Sequence, residues 1–302
     1  MRGHSVRFRI LLFAAWLTLS GAVFPQGVSH SISDLFYISD SYPDITFSLS
    51  YDSEVHDWLV TLLIPGAKNE DLRVEQLYWA NGSMLPREEL ENKDKYWPVL
   101  YGYPAELEDP ATFSEEKKEA IKRYSSAENR KDGAGAPMFL FDAIYDSKTK
   151  KSLESHLVRI TFLGHAASVH ERVKVPLKRV EERIQKLAKS NKEVKAFVDE
   201  IRSTDAYFWR IIAGTTRKSF HSLGIAMDIL PKSQHGKQIF WSWAKEKYPD
   251  TWMLIPLSRR WMPPEGVIRI FEEEGFVWGG KWTIYDNMHF EYHPELIRYN
   301  GL

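Results

Sequence analysis

The chain has no cysteine among its 302 residues, and that absence limits both how it can hold itself together and what chemistry it can carry. No disulfide can staple it, so folding rests on burying an apolar core. Thiolate zinc ligands, a cysteine nucleophile and a lipid-bearing cysteine are excluded, so any metal site must use His and carboxylates. At 302 residues, 43% of them apolar, the chain can build two modest domains or one domain with a long extension. The formal net charge of −1 lacks the basic excess of a polyanion binder, so no nucleic-acid partner is expected. The aromatic share of 14% serves a core or a peptide- or carbohydrate-binding surface equally well.

Arg2, Arg7 and Arg9 precede an apolar run from Ile10 to Leu19, followed by Ser20-Gly21-Ala22. That is the order of a secretory signal, with a cut after Ala22. The run is shorter than the roughly 20 residues of a membrane span, so no stable span is expected after cleavage; an uncleaved anchor is the alternative. Residues 1–22 hold three arginines and no acid, so their loss takes the charge from −1 to −4. The expected location is the periplasm or cell envelope.

Apolar periodicity places the elements. Ile45 to Tyr51 alternates apolar and polar, as a half-buried strand does, and Trp58 to Ile64 is a denser apolar run closed by Pro65-Gly66. Ser114 as N-cap, with Glu115 and Glu116 in the first turn, predicts a helix to Tyr124. The polar, Gly-containing stretch Ser125–Pro137 predicts a surface loop, and Phe139–Tyr145 and His156–Phe162 predict two strands. From Pro176, taken as first-turn, Leu177, Val180, Ile184 and Leu187 form one helical face. Val194, Phe197, Val198 and Ile201 continue it after Ser190-Asn191. Strands are then expected over Tyr207–Ile212, Gly224–Leu230 and Asn287–Tyr292, with helices over Lys237–Tyr248 and Glu265–Glu274. The sum is an α+β chain with a β-rich N-terminal region at 28–170, whose role no motif reveals, and a domain at 171–302 that carries the chemistry.

Two of the ten histidines stand out by their neighbours: His221 in Ser219-Phe220-His221-Ser222-Leu223-Gly224-Ile225-Ala226-Met227-Asp228, and His289 in Asp286-Asn287-Met288-His289-Phe290-Glu291-Tyr292. A hydrolytic zinc site needs three N/O ligands, an open position for water, and a carboxylate to take the water's proton. His221 at a loop end and Asp228 on the following strand can converge on one metal, and Gly224 lets the backbone between them turn tightly. Asp228 lies among Ile225, Ala226, Met227 and Ile229, where a carboxylate costs several kcal/mol unless paired or metal-bound. A His beside a Gly turn is ordinarily a satisfied polar residue, and Asp286 by spacing alone an ordinary loop acid.

The segment Ser219-x-His221-x-x-Gly224-x-Ala226-x-Asp228 resembles the signature of the VanY/VanX-type D-alanyl-D-alanine metallopeptidases. Asp286-x-x-His289-Phe290-Glu291 and the preceding Gly275-Phe276-Val277-Trp278-Gly279-Gly280-Lys281-Trp282 resemble runs of the L-alanyl-D-glutamate endopeptidase branch. The resemblance implies one zinc ion on His221, Asp228 and His289, with Asp286 as general base. It implies a small, mostly antiparallel sheet with helices, and peptidoglycan stem peptide as the substrate class. It covers about a third of the chain.

The family's substrate arginine sits on a strand well before the first His, in a Tyr-Arg-Ser setting that is missing here. Arg210, in Trp209-Arg210, is the nearest match and Arg217 the alternative; either can stabilise an oxyanion or clamp a carboxylate. That departure leaves endopeptidase and D-alanyl-D-alanine carboxypeptidase readings both open. In an extended 289–293 segment, Glu291 and His293 fall on the side of His289, where Glu291 can orient the imidazole and His293 is an alternative ligand. Trp278, Trp282 and Tyr285 can line a substrate groove or fill a core, and His165 and His170 are expected to be structural. The aromatic stretches Tyr78-Trp79 and Tyr96-Trp97-Pro98 can bind cell-wall material or pack so as to restrict access to the site. The rival from another class is a non-catalytic wall-binding protein on a degenerate peptidase fold.

Overall fold

The computed structural model describes residues 29–66 and 72–302, so the signal read from residues 1–22 lies outside the described part. The chain is α+β with a β region near its N-terminus. It runs α1 (Leu35–Ser41), β1 (Thr46–Asp52), β2 (Asp57–Pro65), β3 (Leu72–Tyr78), α2 (Glu115–Tyr124), α3 (Ala127–Asp132), α4 (Phe139–Ile144), α5 (Lys150–Glu154), β4 (Leu157–Phe162) and β5 (His165–His170). It continues α6 (Glu171–Ala188), α7 (Lys192–Asp199), β6 (Ile201–Asp205), β7 (Ala226–Pro231), α8 (Trp241–Lys247), α9 (Glu265–Glu273), β8 (Phe276–Trp278), β9 (His289–Tyr292) and α10 (Pro294–Asn300). Among the described residues three antiparallel sheets form, ordered β1-β2-β3, β4-β5 and β6-β7-β9-β8.

Local chemistry explains most boundaries. The Ser114 hydroxyl accepts from Lys117 N at 3.2 Å to cap α2, and Asn191 accepts from Glu193 N and Val194 N to cap α7. Helix α6 buries Val173, Leu177, Val180 and Ile184 along one face. Gly275, at φ 92°, ends the turn after α9, a conformation glycine reaches without Cβ strain.

Several sequence expectations are corrected. Phe139–Tyr145 is not a strand: residues 139–144 form helix α4, burying Leu140, Phe141, Ala143 and Ile144. A short apolar run has the same composition in a buried strand and a buried helix, so periodicity cannot separate them. The expected loop 125–137 contains helix α3, capped by Ser126 on Asn129 N at 3.1 Å. Helix α6 starts at Glu171, with the His170 imidazole accepting from Arg172 N at 3.2 Å, so Pro176 lies inside it rather than in its first turn. Ile201 opens β6 instead of continuing a helix. Residues 207–212 form no strand, because their amides bond to turn and side-chain partners: Phe208 N to His221 O, Arg210 N to Ser222 Oγ, Ile212 N to Arg217 O. Helix α8 starts four residues later than expected, since Gln238 exchanges backbone bonds with the 259–261 turn and Phe240 bridges Asp286.

One cluster of buried apolar residues runs from Leu35 and Ile38 of α1 through Leu140 and Ile144 to Phe290, Leu296 and Ile297. Its centre lies between α6, α9 and the four-stranded sheet, where the Phe271 and Phe290 rings stack at 3.9 Å. Buried polar bonds tie the early and late parts of the chain. The Tyr103 hydroxyl donates to Glu272 Oε1 at 2.5 Å and accepts from Trp278 N at 2.9 Å.

Candidate metal centre

The middle of the four-stranded sheet carries the site. Asp228 on β7 and His289 on β9 are register partners, so both side chains leave the same face of the sheet. Asp228 Oδ1 lies 2.7 Å from His289 Nδ1, and Asp228 Oδ2 lies 3.3 Å from His221 Nε2. The two imidazoles approach to 3.2 Å between His221 Nε2 and His289 Nδ1. One ligand atom from each residue therefore lies within 4.8 Å of the others, and the group can hold a metal ion.

Local sequence makes this convergence possible. Ser219 Oγ accepts from His221 N at 3.3 Å and caps the single turn Phe220–Leu223. The next residue, Gly224, adopts φ +68°, and a Cβ there would meet His170 N at 2.8 Å. Ser219 is thus a cap that orients the His221 backbone. His221 Nδ1 lies 2.5 Å from the Ala206 carbonyl. As the donor in that bond, Nδ1 leaves the Nε2 lone pair for the metal.

His289 is held from both sides. Its Nε2 lies 2.8 Å from Glu291 Oε1, opposite the Nδ1 that faces Asp228. Burial alone would lower its pKa, but Glu291 and then Asp228 raise it well above the ordinary histidine value. Burial pushes Asp228 up, yet the hydrogen bonds from His221 and His289 win and hold its carboxyl well below the usual range. A proton on His289 Nδ1 bridges the ring and the Asp228 carboxylate.

The donor set fits zinc. Two imidazoles and one carboxylate are borderline N/O ligands of the kind zinc takes in open, three-ligand sites. The Asp228 side chain is only partly exposed and points to the opposite face of β7 from Met227 and Ile229, and a partner of opposite charge is what makes its place there tolerable.

Asp286 comes from the turn before β9. Its N–H bonds the Gly279 carbonyl at 2.9 Å, and a Cβ on Gly279 would lie 2.7 Å from Asp286 O. Only glycine lets the two segments come this close. One carboxylate oxygen, Oδ1, is buried without a hydrogen-bond partner among the described residues. Burial pushes the carboxyl up to about 7, with the nearby Asp228 and Glu291 charges adding to the rise and His289 opposing it. A half-buried carboxyl near neutrality, beside the His221, Asp228 and His289 group, has the protonation range that a general base needs.

Residues 213–292 match the family model for D-alanyl-D-alanine carboxypeptidase. The carboxypeptidase match spans His221, Asp228, Asp286 and His289, and Arg210 lies just ahead of it. A second family model, described as a domain of unknown function, matches residues 34–101. No curated protein and no solved structure matches the chain.

The site opens into a cleft of about 2320 Å³. The matched segment supplies Asp228, Asp286, His289 and Trp282, and the N-terminal region supplies Trp97, Tyr101 and other residues between 97 and 141. The Trp282 ring lies 5.4 Å from the His289 ring, and its buried Nε1–H has no partner among the described residues. Trp278, by contrast, is fully buried with Nε1 donating to Asn287 O, so it belongs to the core. Trp79 is likewise a core residue, donating to His30 O.

Both candidate arginines line the cleft, but they differ in their bonds. Arg217 donates to the carbonyls of Ala134 and Arg130 and lies 5.7 Å over the Trp97 ring, pinning the turn after α3. Arg210 lines the cleft, and its guanidinium has no hydrogen bond or ion pair among the described residues. His293 is not a metal ligand in this arrangement, because its two nitrogens face Glu291 and Glu295. The sequence alone did not reveal the Ala206 carbonyl or Glu295. A carbonyl leaves no residue-type signal, and Glu295 follows Pro294, where the strand pattern has ended.

Proposed function

We propose that the chain is a zinc peptidase that hydrolyses amide bonds in peptidoglycan stem peptides. One observation carries this reading: the His221, Asp228 and His289 donors converge beside Asp286, whose carboxyl is pushed up to about 7, inside the segment matched to D-alanyl-D-alanine carboxypeptidases. His221 and His289 would hold zinc through Nε2 and Nδ1, with Asp228 between them. When bound, zinc lowers the pKa of a water and polarises a carbonyl.

The chain's own residues do the rest. Asp286, near neutrality beside the Asp228 and Glu291 charges, takes a proton from the attacking water and returns it to the leaving amine. Arg210, which lines the cleft without a side-chain partner among the described residues, meets the anionic oxygen that forms as the carbonyl becomes tetrahedral, or the substrate carboxylate beside it. Trp282 packs beside the His289 ring and offers its indole N–H to a substrate acceptor. The cleft exceeds the about 300–1,000 Å³ of ordinary small-molecule pockets, which supports a peptide on a polymer rather than a compact metabolite. In this reading residues 171–302 form the peptidase part, residues 28–170 supply one wall of its cleft, and export by residues 1–22 brings it to the polymer.

Purified peptidoglycan digested with the zinc-loaded chain and analysed by mass tests the reading. Loss of a terminal D-alanine marks a carboxypeptidase, and a cut between L-alanine and D-glutamate marks an endopeptidase. No released fragment, from a protein shown to hold one zinc, would leave a wall-binding role instead.

A further inference from the structure

A row of buried ionisable groups leaves the metal centre and ends in the N-terminal region. Glu291 faces His289 Nε2 with one oxygen at 2.8 Å and His293 Nε2 with the other at 3.2 Å. His293 Nδ1 lies 2.7 Å from Glu295 Oε1, and Glu295 Oε2 accepts from the Tyr42 hydroxyl at 2.9 Å. Tyr42 follows the last residue of α1, and Tyr145 OH stands 3.5 Å beyond it. Glu295 is 0% exposed, His293 2% and Tyr42 3%. The His293 ring is held edgewise between Phe141 of α4, at 5.2 Å, and Phe220, at 4.7 Å, the residue preceding His221.

Such a row is costly if stability is its only purpose. Each buried ion gives up several kcal/mol of hydration, and apolar side chains of the same volume often serve a fold as well or better. Here the charges alternate, each carboxylate oxygen meets a donor, and the row starts on a residue of the metal group. Burial alone would lower the His293 pKa, but Glu295 and Glu291 raise it to about 9, so the ring donates from both nitrogens at neutral pH.

We propose that His293, Glu295 and Tyr42 are positioning residues for the metal centre. They hold the Glu291 carboxylate so that His289 keeps its Nε2–H on Glu291 and its Nδ1 aimed at the metal. The inference rests on the zinc reading above and extends it: a tyrosine from the N-terminal region helps set zinc affinity. The mechanical path is short. With one oxygen fixed by His293, the Glu291 carboxylate cannot swing away from His289. With Glu295 fixed by Tyr42, His293 cannot turn its ring. Groups behind a metal ligand typically change affinity about 10–100-fold when removed.

The experiment is a zinc titration against a competing chelator on the full chain, in the wild type and in Tyr42→Phe, Glu295→Gln and Tyr145→Phe. The His289 imidazole nitrogen resonances are recorded on each metal-free protein. Glu295→Gln is expected to weaken zinc about 10–100-fold and to shift the His289 signals. Tyr42→Phe should do the same to a smaller degree, and Tyr145→Phe should change neither. Should Glu295→Gln fail to fold, Tyr42→Phe, which keeps the ring and its packing, carries the test. Zinc affinities within twofold of wild type, with unchanged His289 signals, overturn the inference. Absence of zinc from the wild type itself would instead overturn the peptidase reading, and the metal-free signals would still decide whether the row positions His289.

Discussion

Asp228 and His289 sit directly opposite each other on β7 and β9, with Oδ1 and Nδ1 2.7 Å apart. The metal group is thus a cross-strand pair that His221 joins from a capped turn. A one-residue slip between β7 and β9 would send one member to the opposite face of the sheet, so the hydrogen-bond ladder itself builds the site. Asp228→Ala is therefore expected to take zinc content from about one per chain to none, as measured by metal analysis. The sheet should still form, because Met227 and Ile229 keep their buried contacts.

Asp286 is expected to be needed for turnover and not for metal. Asp286→Ala should lower kcat by about 10²–10⁴-fold, the usual worth of a positioned proton-transfer group, while zinc stays bound. In the wild type the carboxylate is the form that accepts a proton. Burial sets its pKa at about 7 in the metal-free site, and a bound dication lowers it. Activity should accordingly rise with pH along a limb centred at or below 7, measured as kcat/KM, and metal-retaining Asp286→Ala should lose that limb.

Arg210 and Arg217 should separate chemistry from stability. The Arg210 side chain has no partner among the described residues, so Arg210→Ala should leave the thermal unfolding midpoint within about 1 °C while lowering kcat/KM by about 10²–10³-fold. Arg217→Ala strips donors from the Ala134 and Arg130 carbonyls and should cost about 1–3 kcal/mol in denaturant unfolding. Equal loss of activity without loss of stability in both variants would remove this distinction.

His170 should make the metal-free protein acid-sensitive. Burial, then the charges on His156 and Arg172, depress its pKa to about 3, against about 6.5 unfolded. Between those values the unfolded chain binds a proton that the folded one does not. Its contribution is therefore complete above about pH 6.5 and is lost as pH falls, about 2 kcal/mol by pH 5. His293, raised to about 9, places its own slope on the other side of pH 6.5, where stability is lost as pH rises. Asn at 170 can still accept from the helix N-terminus but does not titrate. His170→Asn should flatten the stability curve between pH 5 and 6.5 in denaturant unfolding.

Much of the site was legible in the sequence because its signals are local. A carboxylate enclosed by Ile225, Ala226, Met227 and Ile229 demands a partner wherever the chain goes. A glycine three residues after His221 announces a tight turn, and Ser114 and Gly275 mark helix ends by the bonds and φ angles they permit. Neighbouring side chains and backbone sterics set these features, and both travel with the sequence. What joins distant segments was not legible. The Asp228–His289 register, the carbonyl that fixes His221, the Glu295–Tyr42 bond spanning 253 positions, and the carbonyls that hold Arg217 all arise when separate elements share one core. So does the helical state of Phe139–Ile144, whose apolar run suits either structure until its neighbours bury it. Local pattern decided which residues can do chemistry, and burial of the common core decided which of them meet.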